Sequence, residues 1–276
     1  MSDTNEQSRH DPDSIAGDGI ETVYLTSWAE FLAVVAEQYA SRPGARVWRG
    51  QSDARWPLQS SLDRLLKTCG RESDPTIRED HLQRFKFAAR GRRGANPAPL
   101  TTENDWWALA QHYGLATPLL DWTWSPHVAL YFAFSEDLGT EARAVFALDQ
   151  SAIREHSEAG RDSGGSGASG SPFMFVDTLS DENARIVNQA GVFTRAPDGK
   201  TVEDWVSEHH WISDEPLLTK FVVPSAGRSD CLRLLNLMNI NPLTLFPDLV
   251  GASQHCNKFL SELTRESIPR SPVANG

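Results

Sequence analysis

The sequence predicts an α/β protein with a mixed central sheet and several covering helices. Short runs rich in β-branched and aromatic residues recur between longer stretches with the apolar spacing of helices. Several of those stretches open on a capping residue or on Pro. One of them, His127 to Phe134, is apolar on nearly every face, a composition that suits only a buried helix.

Order is expected to begin near Ile20. Glu21 to Leu25 has strand character, and Ser27 stands three residues before Glu30, a capping-box spacing that opens a helix to about Ala40. Arg42-Pro43-Gly44 stops it. Arg46 to Gly50 reads as a short strand, and Ser60 to Cys69 and Ile77 to Arg90 as helices. Asn104 or Asp105 is expected to cap a helix that ends at Gly114, followed by an extended segment from Leu115 to Trp122. Ser125-Pro126 is an N-cap with Pro at the first helical position, leading into the apolar helix. Ala142 to Leu148 is a strand. Residues 158–172 are dominated by Gly and Ser and read as a flexible insertion. Beyond it come strands at Phe173 to Val176, Val192 to Arg195 and Leu217 to Val223. Helices are expected near Glu182 to Gln189, Val202 to Trp211, Ser229 to Asn239 and Pro247 to Leu263. The reading is a single domain over residues 20–263, with disordered tails at residues 1–19 and 264–276.

The bulk numbers narrow the classes. Hydrophobic residues are 39% and charged residues 23% of a 276-residue chain, a globular balance long enough for a sizeable core. A net charge of −11 disfavours general binding to nucleic acid or to a membrane surface. One stretch runs the other way: Arg84, Lys86, Arg90, Arg92 and Arg93 have no acid among them between His81 and Thr102. A solvated helix end is the commoner role for such a run, and a phosphate or nucleic-acid contact the rarer one. The three cysteines form no Cys-x-x-Cys pair and point to a reducing compartment, so a cytoplasmic protein is expected. No apolar run approaches a membrane span.

Two segments hold the residues suited to chemistry, Val47 to Arg64 and Gln111 to Phe134. Six of the nine Trp lie within or next to them. In the first, Arg49 near a strand end offers a rigid guanidinium fork suited to phosphate or carboxylate. Gly50 lets another backbone or a ligand come close, Gln51 and Ser52 add donors, and Trp48 and Trp56 flank them. Arg49 paired with an acid such as Asp121 is the structural alternative. In the second, an extended segment delivers Asp121, Trp122 and Thr123 to a helix N-terminus, where N–H groups and the dipole favour an anion. An Asp beside an aromatic plane and a hydroxyl suits sugar hydroxyls; turn and cap stabilisation is the alternative for Asp121 and Thr123. His112 sits at a helix end, where the dipole alone favours a protonated His. His209 and His210 are adjacent and point to different faces, so no metal-ligand spacing exists and no metal is expected. The common nucleophile-elbow, phosphate-loop and dinucleotide glycine motifs are absent.

At these residues the sequence resembles the FRG domain, named for an aromatic-Arg-Gly signature. The resemblance rests on Trp48-Arg49-Gly50-Gln51-Ser52, Trp56-Pro57-Leu58, Ser61-Leu62, Arg64, Gln111-His112-Tyr113-Gly114-Leu115, Thr117, Leu119 to Thr123, Ser125-Pro126 and Ala129 to Ala133. Weaker agreement follows at Arg185, Asn188, Gln189, Gly191, Phe193, Thr194 and Lys220 to Pro224. Pro118 stands where relatives carry Arg. The motif order is similar to that of the ADP-ribosyltransferases, which implies an ADP-ribosyltransferase-like core. It also implies NAD as a substrate, its ADP-ribosyl group passed to an unknown macromolecular acceptor or its nicotinamide bond hydrolysed. In that reading Arg49 and Asp121 are catalytic. Arg49 binds the phosphate or ribose of NAD, Trp48 or Trp122 stacks on nicotinamide, Asp121 contacts the ribose, and Gly50, Gln51, Ser52, Thr123, Ser125, His112 and Gln189 support the ligand. Lys220 stands about where the transferases carry their catalytic Glu, so Asp121 or Asp248 would have to substitute. The alternatives are a non-catalytic nucleotide-binding or interaction module, and a defence- or toxin-type effector acting on nucleic acid.

Overall fold

A computed structural model describes residues 18–42, 44–94, 96–97, 99–162, 173–177 and 187–262. The expected tails fall largely outside these residues. So do most of the Gly/Ser stretch and of the helix expected at Glu182 to Gln189.

The elements run in chain order β1 Ile20–Tyr24, α1 Trp28–Val34, β2 Arg46–Gln51, α2 Ser61–Thr68, α3 Ile77–Ala88, α4 Glu103–His112, β3 Leu119–Thr123 and α5 Pro126–Ser135. Next come β4 Ala142–Asp149, α6 Gln150–Asp162, β5 Met174–Val176, β6 Gly191–Arg195 and α7 Val202–Glu208. The last are β7 Leu218–Pro224, α8 Arg228–Leu237, the one-turn α9 Pro242–Leu245 and α10 Leu249–Glu262. Ser27 caps α1 by accepting from the Glu30 amide, and the helix widens into a π-helical turn over Val35–Tyr39. Thr102, not Asn104 or Asp105, caps α4; Asp105 completes the box from the third position. Helix α6, unforeseen in the sequence, carries the chain into residues expected to be flexible.

The seven strands form one sheet in the order β1-β7-β4-β2-β3-β6-β5. Only β1 and β7 pair in parallel; the other neighbours are antiparallel. Strands on both sides of the Gly/Ser stretch build it. The alternation along β4 shows how the faces are shared. Val145 and Ala147 enter a core with Trp48, α1, α5 and α8, while Ala144, Phe146 and Leu148 enter a second core with α6 and α7. A third core lies under α2, α3 and α4, on Leu119 of β3 and Phe193 of β6.

Helix α5 lies against β2 at backbone distance. A Cβ on Gly50 would stand 1.9 Å from the Ala129 carbonyl oxygen and 2.5 Å from the Ala133 nitrogen. The close approach that this glycine permits is therefore to a helix. The far end of α5 is held by two guanidiniums. Arg143, 1% exposed, donates to the carbonyls of Ala133 and Glu136, and Arg228 donates to those of Phe134 and Ser135 at 2.8 Å each. Cations at a helix C-terminus satisfy its last carbonyls and oppose its dipole.

Candidate functional site

The sheet is nearly interrupted between β2 and β3, which share the single pair Trp48 with Thr123. Past Trp48, the residues Arg49, Gly50 and Gln51 pair with β4 on one edge. Leu119 to Trp122 pair with β6 on the opposite edge. The two inner edges diverge, and a cavity of about 580 Å3 opens between them, within the range of small-molecule sites. It lies where the α5 core gives way to the α2–α4 core. Its wall includes Trp48, Arg49, Gly50, Gln51, Ser52 and Trp56 from the β2 side, and His112, Asp121, Trp122, Thr123 and Glu136 from the β3 and α5 side. Arg64, Gln189 and Phe246 complete the rim.

Arg49 spans the opening. Its Nη1 donates to the Asp121 carbonyl at 2.7 Å, filling an edge position that a paired strand would occupy. The same Nη1 lies 3.9 Å from the Asp121 carboxylate, with the Arg49 side chain 21% exposed and that of Asp121 62% exposed. The two residues therefore face one cavity. The pair differs from a buried structural ion pair, because the carboxylate is open to solvent and to any ligand. Burial draws the Arg49 guanidinium below its ordinary pKa, Asp121 opposes that, and the nearby Arg64 cation adds to it. An arginine keeps its proton under such pressure, so what burial leaves is a cation that gains strongly from an anion.

Two polar atoms of this wall have no partner: Arg49 Nε and Gln51 Oε1, both closed off from solvent. Gln51 spends its amide N–H on the Pro57 carbonyl at 3.3 Å, so the residue read from the sequence as a donor has an acceptor left over. Each such buried atom costs roughly 1–3 kcal/mol until it is satisfied, which here requires the side chain to turn toward the cavity.

The remaining expected residues divide. Thr123 donates to the Gln189 carbonyl at 2.6 Å and accepts from the Ser125 amide at 3.1 Å, so its hydroxyl holds the turn into α5. Ser125 caps α5 through the Val128 amide and is not part of the cavity wall. Gln189 lines the cavity while its amide donates to the Leu245 carbonyl at 3.1 Å. Ser52 is buried, with its hydroxyl 3.5 Å from the Phe132 carbonyl. His112 lies edge-on to Tyr113 at 4.9 Å. Trp48 and Trp122 are each 3% exposed. Trp48 packs against Phe31, Tyr39 and Phe221, and the Trp122 indole N–H donates to Thr194 at 2.8 Å. Both rings are core residues that touch the cavity, with almost no face to offer. Trp56, 46% exposed, presents far more of its ring to the cavity.

The structure adds residues that sequence reasoning passed over. Glu136, the residue that ends α5, also lines the cavity. Glu203 at the start of α7 accepts from the Leu58 amide with both oxygens, at 2.9 and 3.0 Å, and anchors the loop that carries Trp56. Burial pushes its carboxyl above the usual range. Neither lay in a recognisable motif; only the fold brings them here. Lys220 and Asp248 are not in the cavity wall. Lys220 lies over the Phe146 ring at 5.6 Å, and Asp248 accepts from the Gly251 amide in the first turn of α10. Among the described residues no group of three or more His, Cys, Asp or Glu is placed to hold a metal ion, and no helix is long and apolar enough to cross a membrane.

The family model of the FRG domain matches residues 44–142. That span holds all of the cavity wall except Gln189, Phe193 and Phe246. No curated protein and no solved structure matches the chain.

Proposed function

Starting from the chain being an FRG-domain protein, we propose that the opening between β2 and β3 binds NAD and supports its cleavage or the transfer of its ADP-ribosyl group. The observation that carries this is Arg49, a largely buried cation with an unsatisfied donor, beside the exposed carboxylate of Asp121 in a cavity large enough for a nucleotide. In this reading the core is ADP-ribosyltransferase-like. Arg49 holds the pyrophosphate or the adjoining ribose. Asp121 accepts from ribose hydroxyls. The ring of Trp56 takes over the stacking first assigned to Trp48 or Trp122. As the glycosidic bond breaks, nicotinamide leaves with the bonding pair and positive charge builds on the ribose. A carboxylate stabilises that charge and takes the proton of the attacking hydroxyl or water. Asp121 and Glu136 are the carboxylates at hand, since Lys220 and Asp248 stand away from the cavity. None of the three cysteines is in a disulfide, which supports the reading of a reducing, cytoplasmic setting.

A second reading, a nucleotide-binding module without turnover, draws on Lys220, the residue in place of the transferases' Glu. Calorimetric titration with NAD, ADP-ribose and nicotinamide tests the shared premise. Both readings require saturable NAD binding that ADP-ribose competes. They also require Arg49→Lys to weaken it tenfold or more, as loss of a charge-assisted bond worth about 1.5–3 kcal/mol implies. No NAD binding, or binding indifferent to Arg49→Lys, removes both.

A further inference from the structure

Helices α3 and α4 carry a surface that the cavity does not use. We infer that it binds single-stranded nucleic acid and leads the strand to the cavity. The surface itself stands apart from the NAD reading; only the step that makes the strand the acceptor of that chemistry rests on it.

Arg84, Phe87, Arg90 and Arg92 are exposed, Phe87 at 62%. Cations and rings alternate on this face. The Arg90 guanidinium lies 4.5 Å from the centre of the Phe87 ring, and Lys86 Nζ and the Arg93 guanidinium lie 5.7 and 5.4 Å from that of Trp106. Phosphates pair with such cations, and bases stack on the rings between them. An acidic peptide would use the cations and leave the rings idle, so the pattern favours nucleic acid.

Helix α4 gives the direction. Seven residues are about two helical turns, so Tyr113 lies on nearly the same face as Trp106, roughly 10 Å further along. Tyr113 is 69% exposed and packs edge-on to His112, which lines the cavity beside Trp56 and Arg64. Aromatic and basic side chains thus continue from Phe87 to the cavity mouth. The net charge of −11 does not decide the matter at this surface, because beyond about 8–10 Å salt screens the distant carboxylates while the five local cations act at contact. Nearby Glu103 is engaged by Arg195 at 2.9 Å and by the Trp107 indole, and Asp105 by the α4 cap.

Fluorescence anisotropy with labelled oligothymidylate and oligouridylate tests this. Five phosphate contacts predict affinity falling about a hundredfold between 50 and 200 mM salt. Lys86→Glu with Arg93→Glu, and separately the exposed pair Arg90→Ser with Arg92→Ser, should each weaken binding at least tenfold and flatten that slope. NAD affinity should stay unchanged, which also shows that the variants are folded. No binding at 50 mM salt, binding indifferent to both double variants, or equal displacement of the oligonucleotide by polyglutamate overturns the inference. Oligonucleotide binding without NAD binding leaves the surface standing and removes the NAD reading. NAD binding without oligonucleotide binding does the reverse.

Discussion

Arg49 does the work of a strand edge and, in the proposed reading, holds a charge for a ligand. Its Nη1 closes the Asp121 carbonyl, so replacing it with Ala leaves that carbonyl bare as well as removing one of the two arginines of the cavity wall. Arg49→Lys separates the two effects, because an ammonium keeps the charge without the planar fork. Asp53 offers a pH test of the adjoining loop. Its hydrogen bonds from the Arg55 side chain and amide bring its carboxyl down to about 2 from an ordinary 3.8. A depressed carboxyl contributes stability that is present above its unfolded pKa and lost as pH falls through its folded one. Wild type should therefore lose stability relative to Asp53→Asn between pH 4 and 2, measured by urea denaturation at each pH; parallel curves would contradict this. Glu203 has the opposite sign. Its carboxyl is raised by burial, so its contribution weakens as pH rises out of the acid range toward neutrality. Wild type should gain on Glu203→Gln as pH drops from 7 toward the ordinary 4.5, and the variant should be at least as stable at pH 7.

The elements explain what could and could not be foreseen. Helix α5 was legible because every face is apolar and Ser125-Pro126 marks its start; its burial follows from composition alone. The strands β2, β4 and β7 were legible within a residue or two from β-branched and aromatic runs. Helix α6 was passed over because its polar face and the glycines after it mask a weak apolar stripe on the sheet. Thr102 was passed over as the α4 cap because Asn104 and Asp105 are equally good capping types, and only the backbone decides among them. Gly50 was read as clearance for another backbone or a ligand, and what it clears is the backbone of α5. Gly50→Ala should therefore cost at least the roughly 1–3 kcal/mol typical of overpacking, read by denaturant unfolding. A neutral outcome would mean that α5 can slide on β2. Arg143→Met would strip the carbonyls of Ala133 and Glu136 of their donor and leave those of Phe134 and Ser135 to Arg228. It should destabilise by about 1–3 kcal/mol and disturb the wall that bears Ser135 and Glu136.

Across the molecule, the cavity is a consequence of topology. Seven strands form one sheet, yet on one face different helices cover it on either side of the line between β2 and β3, and the sheet opens along that line, while on the other face one core joins the two strands. The two segments singled out in the sequence are the two sides of the opening, which is why local motif reading reached Arg49 and Asp121. It could not reach Glu136 or Glu203, whose positions depend on a helix end and on a contact 145 residues apart in the chain. It misjudged Trp48 and Trp122 because the same large ring serves a core and a ligand, and burial alone distinguishes them. In the proposed function this opening breaks the bond between nicotinamide and ribose. Release of nicotinamide from NAD by the purified chain, alongside Arg49→Lys and Asp121→Asn, tests it most directly. Turnover is expected in the wild type, lost with weakened NAD affinity in Arg49→Lys, and reduced at least a hundredfold with NAD affinity nearly kept in Asp121→Asn. Wild-type turnover that survives both substitutions, or none at saturating NAD, would contradict it.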